Sequence, residues 1–181
     1  DLVAIGGSLP IGVSPEIYRK IITLVKRCQS TVVLDVDGEA LKKGISARPD
    51  VIKPNIHELS ELVGRQLQEL DDIRAAAREI NRQGVRIVLI SMGPRGILLV
   101  SEGHEYLAVP PKVDVKSTIG AGDSSVAGFI VGLVEGKSLK ECLVYAAAAG
   151  TATTLHQGTA LAQKEDFLRL APQVKLTVLS E

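Results

Sequence analysis

Ser117-Thr118-Ile119-Gly120-Ala121-Gly122-Asp123-Ser124 runs straight into the apolar stretch 126–133. How this segment is read decides the fold and the chemistry. Small residues let a backbone approach a ligand closely. A helix following Gly122 offers free N–H groups and the positive end of its dipole to a phosphate. Asp123 stands at that same end. A carboxylate there can accept the proton of an attacking hydroxyl while the N–H groups hold a transferred phosphoryl group. The plain alternative is a glycine turn with Asp123 as the helix cap. A short glycine motif alone does not separate the two.

Outward from that segment, short apolar strands alternate with amphipathic helices. Strands are expected at 2–5, 31–36, 51–52, 86–90, 96–100 and 105–109, with a closing strand at 174–179. Helices are expected at 38–44, 55–63, 71–83, 139–155 and 164–170, beside the one after Gly122. Ser14 and Pro15 open a further helix, with Ser as cap and Pro at the first helical position. Its apolar side carries Ile17, Ile21, Leu24, Val25 and Cys28. Ser138 and Glu141 make a capping box for the helix at 139. This alternation implies an α/β protein, three-layer α/β/α around a mostly parallel central sheet. Ligands of such sheets bind at the carboxyl ends of the strands.

Three more stretches sit where a ligand would pass. Lys53-Pro54-Asn55-Ile56-His57-Glu58 opens a helix. Asn55 and Glu58 have capping-box spacing, and the same pair could serve a Mg²⁺ and phosphate station. Lys53 is either a phosphate contact or a solvated side chain. Ser91-Met92-Gly93-Pro94-Arg95-Gly96 leaves the strand at 86–90, as a plain turn or as a floor under a nucleotide. Ala146-Ala147-Ala148-Ala149-Gly150 is a run of small residues that helix packing explains, and a flat ring also needs small neighbours. Gly158 lies just beyond it.

The chain has 181 residues, which suits one compact domain. Its 45% hydrophobic and 23% charged residues are a globular mix. Lys+Arg and Asp+Glu each count 21, and aromatics are 3% with no Trp. A nucleic-acid partner would want a basic face and stacking rings, so none is expected. No apolar run is long enough to span a bilayer, so no membrane partner is expected either. Cys28 and Cys142 lack a CxxC spacing and lie in apolar helical patterns, so buried thiols in a reducing compartment are expected. His57, His104 and His156 have no metal-ligand spacing and read as surface or loop residues. No GxSxG, HExxH or Walker A motif is present. A dinucleotide fold would want GxGxxG directly after the first strand, where this chain has Gly6-Gly7-Ser8.

Taken in order, Gly7-Ser8-Leu9-Pro10, Lys53-Pro54-Asn55-x-x-Glu58, Ser91-x-Gly93-x-x-Gly96 and Gly120-Ala121-Gly122-Asp123 resemble the ribokinase-like, or PfkB, carbohydrate kinases. The resemblance covers nearly the whole chain, and within the family the hexose-phosphate branch is most similar. It implies transfer of the ATP γ-phosphoryl group to a sugar phosphate, fructose 6-phosphate in the first instance. Tagatose 6-phosphate and fructose 1-phosphate are the neighbouring acceptors. It implies Asp123 as the base and Gly120, Ala121 and Gly122 as the anion hole. Asn55 and Glu58 would organise Mg²⁺ and the phosphates, with Glu58 on the metal side. Ser91, Gly93, Gly96 and Thr118 would line the nucleotide loop, and Ala147, Gly150 and Gly158 would lie near adenine. ATP and Mg²⁺ are the implied cofactors.

The same resemblance makes residues 1–181 the C-terminal portion of a single ribokinase-like domain. Its N-terminal part and small β lid, which carry much of the sugar site and a homodimer contact in the family, would be missing. A cut parallel sheet would leave an unpaired edge and an uncovered apolar face. A cytoplasmic place is expected. Gly6 stands where Ser is common and Ile11 where Pro is common. Neither carries an assigned chemical role. A nucleotide-binding module without turnover is the rival reading.

Overall fold

The computed structural model describes residues 1–180. The chain divides into two compact units, Asp1–Ile90 with Val100–His104, and Ser91–Leu99 with the residues from Glu105 onward.

In the first unit, β1 (Leu2–Gly6), β2 (Thr31–Asp35), β3 (Val51–Ile52) and β4 (Ile87–Ser91) pair in chain order. All three pairings are parallel, with Leu34 opposite both Ile5 and Ile52. Parallel strands need crossovers, and the helices supply them: α1 (Glu16–Arg27), α2 (Gly38–Ile45), α3 (Ile56–Val63) and α4 (Leu70–Arg82). Val32, Val33, Leu34, Val51 and Ile52 are buried in consecutive runs rather than alternately. Continuous burial is the mark of a parallel sheet covered on both faces. Each such Leu or Ile contributes roughly 1.5–3 kcal/mol by leaving water.

At the amino ends of these strands, the buried Asp50 accepts the Val32 N–H at 2.9 Å and two bonds from Lys26 Nζ at 2.9 Å. Arg86 Nη1 lies 3.5 Å away. Burial alone would raise this carboxyl, but Lys26, the Val32 N–H and Arg86 outweigh it and hold it below the ordinary carboxylate range. One side chain thus ties α1 to the starts of β2 and β3.

Helix α1 departs from the face expected of it. Tyr18 and Ile22 are buried, whereas Ile17, Ile21 and Leu24 are exposed. The helix has two neighbouring apolar stripes, 17-21-24-28 and 18-22-25, and the sheet takes the second. Cys28 is therefore exposed rather than buried, while Cys142 is buried as expected. The cap also shifts by one residue: Pro15 is the N-cap, and the Ser14 hydroxyl accepts the Glu16 N–H at 3.3 Å.

The second unit holds β5 (Ile97–Ser101) where it leaves the 3-10 turn Gly93–Arg95, then β6 (His104–Val109), α5 (Ala121–Val134), α6 (Leu139–Thr154), α7 (Lys164–Leu170) and β7 (Lys175–Ser180). β7 runs antiparallel to β6, from Tyr106 opposite Val178 to Val109 opposite Lys175, with an irregularity between Glu105 and Tyr106. Helices α5 and α6 pack backbone to backbone. A Cβ at Gly128 would sit 2.5 Å from the Tyr145 carbonyl, and one at Gly132 would sit 2.9 Å from Cys142 Cα. Of the buried run 146–149, Ala149 meets this contact, its Cβ 2.9 Å from one built at Gly128, so helix packing accounts for that residue. Beyond it, Ala148, Ala152 and Leu170 form a small core with Val113, Phe167 and Val174. Tyr145 meets Phe167 edge-on at 5.1 Å.

Candidate functional site

Strand β6 ends at Val109, and Pro110-Pro111 stops it by removing backbone donors. The segment that follows is strapped to the end of α6. Lys116 N–H and Ser117 N–H donate to the Thr154 carbonyl at 2.8 and 3.4 Å. The Ser117 hydroxyl donates to the Gly158 carbonyl at 2.9 Å and accepts the Ile119 N–H at 3.2 Å.

The chain then turns at Gly120, in the left-handed region at φ 75°. Left-handed geometry costs an L residue roughly 1–2 kcal/mol, so glycine is required. Helix α5 starts at once, with Gly120 as its cap, Ala121 first, Gly122 second and Asp123 third. Asp123 is thus not the cap that the plain reading made it. Gly120 has no side chain to close the helix end, and no side-chain cap bond forms. An α-helix leaves its first N–H groups without intrahelical partners. The Ala121 N–H is taken by the Thr118 carbonyl at 3.2 Å. Gly122 and Asp123 follow at the open turn, and Asp123 is exposed.

This turn borders a cavity of about 640 Å³, inside the range of small-molecule sites, about 300–1,000 Å³. Eight of the expected positions line it: Ser91, Gly93, Gly96, Thr118, Ala121, Gly122, Ala147 and Gly150. Two of the glycines are needed for close approach. At Gly96, with φ 97°, a Cβ would fall on the Ala108 carbonyl. At Gly150 it would fall on the Ser125 hydroxyl. Gly120 and Asp123 adjoin the lining in sequence. Gly158 is not in the lining; it touches the site through its carbonyl on Ser117.

Lys53, Asn55 and Glu58 belong to the first unit. Asn55 caps α3 with full reciprocity. Its Oδ1 accepts the Glu58 N–H at 2.9 Å, and Glu58 accepts the Asn55 N–H at 2.9 Å and the Asn55 amide at 2.6 Å. The capping-box reading therefore holds in the structure. Lys53 is not solvated: it is buried, with Nζ 3.2 Å from Asp35 Oδ1. Asp35 and Lys53 follow the registered pair Leu34–Ile52 at the carboxyl ends of β2 and β3.

Residues 1–166 match the family model described as pfkB family carbohydrate kinase. This chain belongs to the PfkB carbohydrate kinase family. It is 38% identical over 179 residues to 1-phosphofructokinase of Rhodobacter capsulatus, covering 99% of this chain and 57% of the relative. It is 40% identical over 171 residues to ATP-dependent 6-phosphofructokinase isozyme 2 of Escherichia coli, covering 93% of this chain and 55% of the relative. The crystal structure of phosphofructokinase-2 from Escherichia coli in complex with potassium superposes with a TM-score of 0.91 at 38% identity, over 95% of this chain and 56% of that one. The PfkB chain thus spans little more than half the length of the curated relatives it matches. Its fold is the ribokinase-like α/β class.

Sequence reasoning missed part of the PfkB cavity. Pro110, Pro111, Lys112, Val113 and Val115 form one wall, and Ser125, Thr151 and Thr154 add hydroxyls beside Ala147 and Gly150. The Pro-Pro break after β6 was the available signal. Thr151 and Thr154 follow Ala147 at four and seven residues, so they share its helix face. His156 lies in the loop after α6, as expected of a surface or loop residue. It lies partly buried with Nε2 3.0 Å from Asp166 Oδ2, and Asp166 also takes Arg169 at 2.6 Å. Arg169, then His156, hold the Asp166 carboxyl below its usual range. Among the described residues no helix is long and apolar enough to cross a membrane.

Proposed function

We propose that this chain carries the nucleotide-binding and phosphoryl-transfer part of an ATP-dependent sugar-phosphate kinase acting on a fructose phosphate. The observation that carries the reading is the uncapped start of α5, with Gly122 on the cavity wall and an exposed Asp123 one residue later. In the proposed step, Asp123 takes the proton of a sugar hydroxyl, and that oxygen bonds to the γ-phosphorus of ATP. The bond from phosphorus to the departing ADP oxygen breaks. N–H groups of the Gly120-Ala121-Gly122 turn, that of Ala121 shared with the Thr118 carbonyl, hold the phosphoryl oxygens while charge spreads over them. Ser91, Gly93, Gly96, Thr118, Ala147 and Gly150 receive the nucleotide, and Gly158 braces the turn from behind.

Mg²⁺ is the metal this reading implies. Glu58 suits it: a partly exposed carboxylate whose oxygens accept from Asn55 keeps lone pairs for a cation or its bound water. Among the described residues no cluster of three or more His, Cys, Asp or Glu could hold a metal alone. Bound there, Mg²⁺ would neutralise phosphate charge. Lys53, released from or shared with Asp35, is a further phosphate contact in this proposal.

Fructose 6-phosphate is the acceptor we favour. Fructose 1-phosphate is the second reading, supported by the similarity to 1-phosphofructokinase of Rhodobacter capsulatus. Both units are proposed to belong to one ribokinase-like domain, in a cytoplasmic protein that is a homodimer when complete. ADP release with Mg-ATP, from the longest chain the gene encodes, tests the reading. Fructose 6-phosphate, fructose 1-phosphate and tagatose 6-phosphate are offered in turn. Dependence on one fructose phosphate is expected. Release that no acceptor stimulates would leave a nucleotide-binding module without turnover.

A further inference from the structure

The turn at Gly120 is held from outside by the loop 155–163, which joins α6 to α7 and contains no helix or strand. The loop reaches the turn at two points. The Gly158 carbonyl accepts the Ser117 hydroxyl at 2.9 Å, and the same Ser117 oxygen accepts the Ile119 N–H at 3.2 Å. Leu161 packs over Gly120, where an added Cβ would sit 3.0 Å from its Cδ2. Leu155 and Ala162 pack the two ends of the loop against the small core of Ala148, Ala152 and Leu170. Segments without regular structure open most readily, so the stretch between those ends needs an anchor. His156 supplies one: its Nε2 lies 3.0 Å from Asp166 Oδ2 on α7. The other Asp166 oxygen accepts Arg169 at 2.6 Å, and Phe167 beside it packs on the small core. Asp166, kept ionised by Arg169, can only accept. His156 Nε2 therefore carries the proton, and the bond is charge-assisted. Both side chains are largely shielded, with 28% and 22% exposed.

We infer that His156 is a positioning residue for phosphoryl transfer: through its bond to Asp166 it fixes the loop that holds the Ser117–Gly120 turn, and with it the start of α5 and Asp123. The inference rests on the proposed role of that turn. His156 is not in the cavity lining, so its effect runs through the loop, from Asp166 to His156, Gly158, Ser117 and the Ile119 N–H. The reacting groups must be placed to a fraction of an ångström, and a misplacement of about 1 Å costs on the order of 10²-fold in rate. Nucleotide binding draws also on Ser91, Gly96, Ala147 and Gly150, none of which belongs to the loop or the turn. Loosening the loop therefore lowers kcat far more than it raises the KM for ATP.

Steady-state ADP release by the complete enzyme, with Mg-ATP and its preferred fructose phosphate, tests this. His156→Ala is expected to lower kcat about 10-fold, with the KM for ATP within about 2-fold of the parent's. His156→Gln, whose amide nitrogen can occupy the Nε2 position, should restore most of kcat. Asp166→Asn keeps the shape and removes the charge; it should give a smaller loss in the same direction, and it serves where the alanine variant does not fold. Ser117→Ala cuts the same route at its other end. It should lose about as much as His156→Ala, and the double variant no more than either single one. Ser138→Ala, which uncaps the far end of α6, is the control: it lowers the urea midpoint and should leave kcat where it was. Parent-like kcat in His156→Ala (or in Asp166→Asn if the alanine variant does not fold) would overturn the inference and leave the kinase reading intact. So would a loss that His156→Gln or Ser138→Ala shares in full, or additive losses in the double variant. ADP release that no fructose phosphate stimulates in the parent would overturn the kinase reading itself, and this inference with it.

Discussion

Helices α3 and α5 both carry an acidic residue at the third helical position, and the two helix starts use it in opposite ways. In α3, Glu58 turns back onto Asn55 and the two side chains close the end. In α5, the cap is Gly120, no side-chain cap bond forms, and Asp123 is left exposed. A closed helix end is a structural device. An open one leaves donors and a positive dipole end for something outside the chain. The difference lies in one residue, an asparagine against a left-handed glycine, and it closes the first helix end while leaving the second open.

The most severe way to break that contrast is Asp123→Asn in the complete enzyme. If Asp123 is the base, turnover should fall by about 10²–10⁴-fold, with ATP affinity nearly unchanged. Near-normal turnover would move Asp123 into the same structural class as Glu58.

Asp50 extends the comparison to the strand starts, since it closes a backbone N–H internally just as Asn55 does. Asp50→Asn keeps the shape and removes the charge that Lys26 answers. Lys26 is 37% exposed, so solvent screens part of the loss, and a cost of roughly 1–3 kcal/mol is expected, below the range for a fully buried pair. Its pH signature has a definite sign. Because the folded carboxyl is held below its unfolded value, near 4, its stabilisation is complete above that value. It fades as pH falls through the lower folded value. Urea titrations from pH 6 to pH 2 should show the parent losing stability at the acid end, with Asp50→Asn flatter. Parallel curves would show that Asp50 is not the acid-sensitive group.

Gly120→Ala comes next. The left-handed turn should cost about 1–2 kcal/mol, read as a lowered urea midpoint, and a nearby Leu161 methyl at 3.0 Å from the new Cβ adds crowding. If the turn aims N–H groups at a phosphoryl group, the phosphoryl-transfer rate should fall by more than stability does. A rate loss explained wholly by unfolded protein would make Gly120 a conformational residue only.

Much of this was legible in the sequence for local reasons. Capping boxes at Asn55 and Ser138, the short strand Val51–Ile52 and helix Lys164–Leu170 are written in neighbouring residues. What was not legible depends on which surface meets which. Helix α1 offers two apolar stripes, and only the sheet chooses Ile22 over Ile21. Lys53 reads as either a phosphate contact or a solvated chain until Asp35, eighteen positions away, is seen beside it. Thr151 and Thr154 carry no motif; they join the cavity lining only through the helix face they share with Ala147.

The smallest effect separates the cap role of Glu58 from the proposed metal role. Helix α6 offers an internal control, because Ser138 and Glu141 close it as Asn55 and Glu58 close α3. Loss of a cap side chain costs about 1 kcal/mol, so Asn55→Ala and Ser138→Ala should lower the urea midpoint by similar amounts. Their effects on the complete enzyme should then part. If Glu58 also serves the metal, disturbing its partner Asn55 raises the Mg²⁺ concentration needed for half-maximal turnover, whereas Ser138→Ala leaves that requirement where it was. The same Mg²⁺ requirement in both variants would reduce Glu58 to a cap, and the contrast between the two helix ends would then be one of pure structure against pure chemistry.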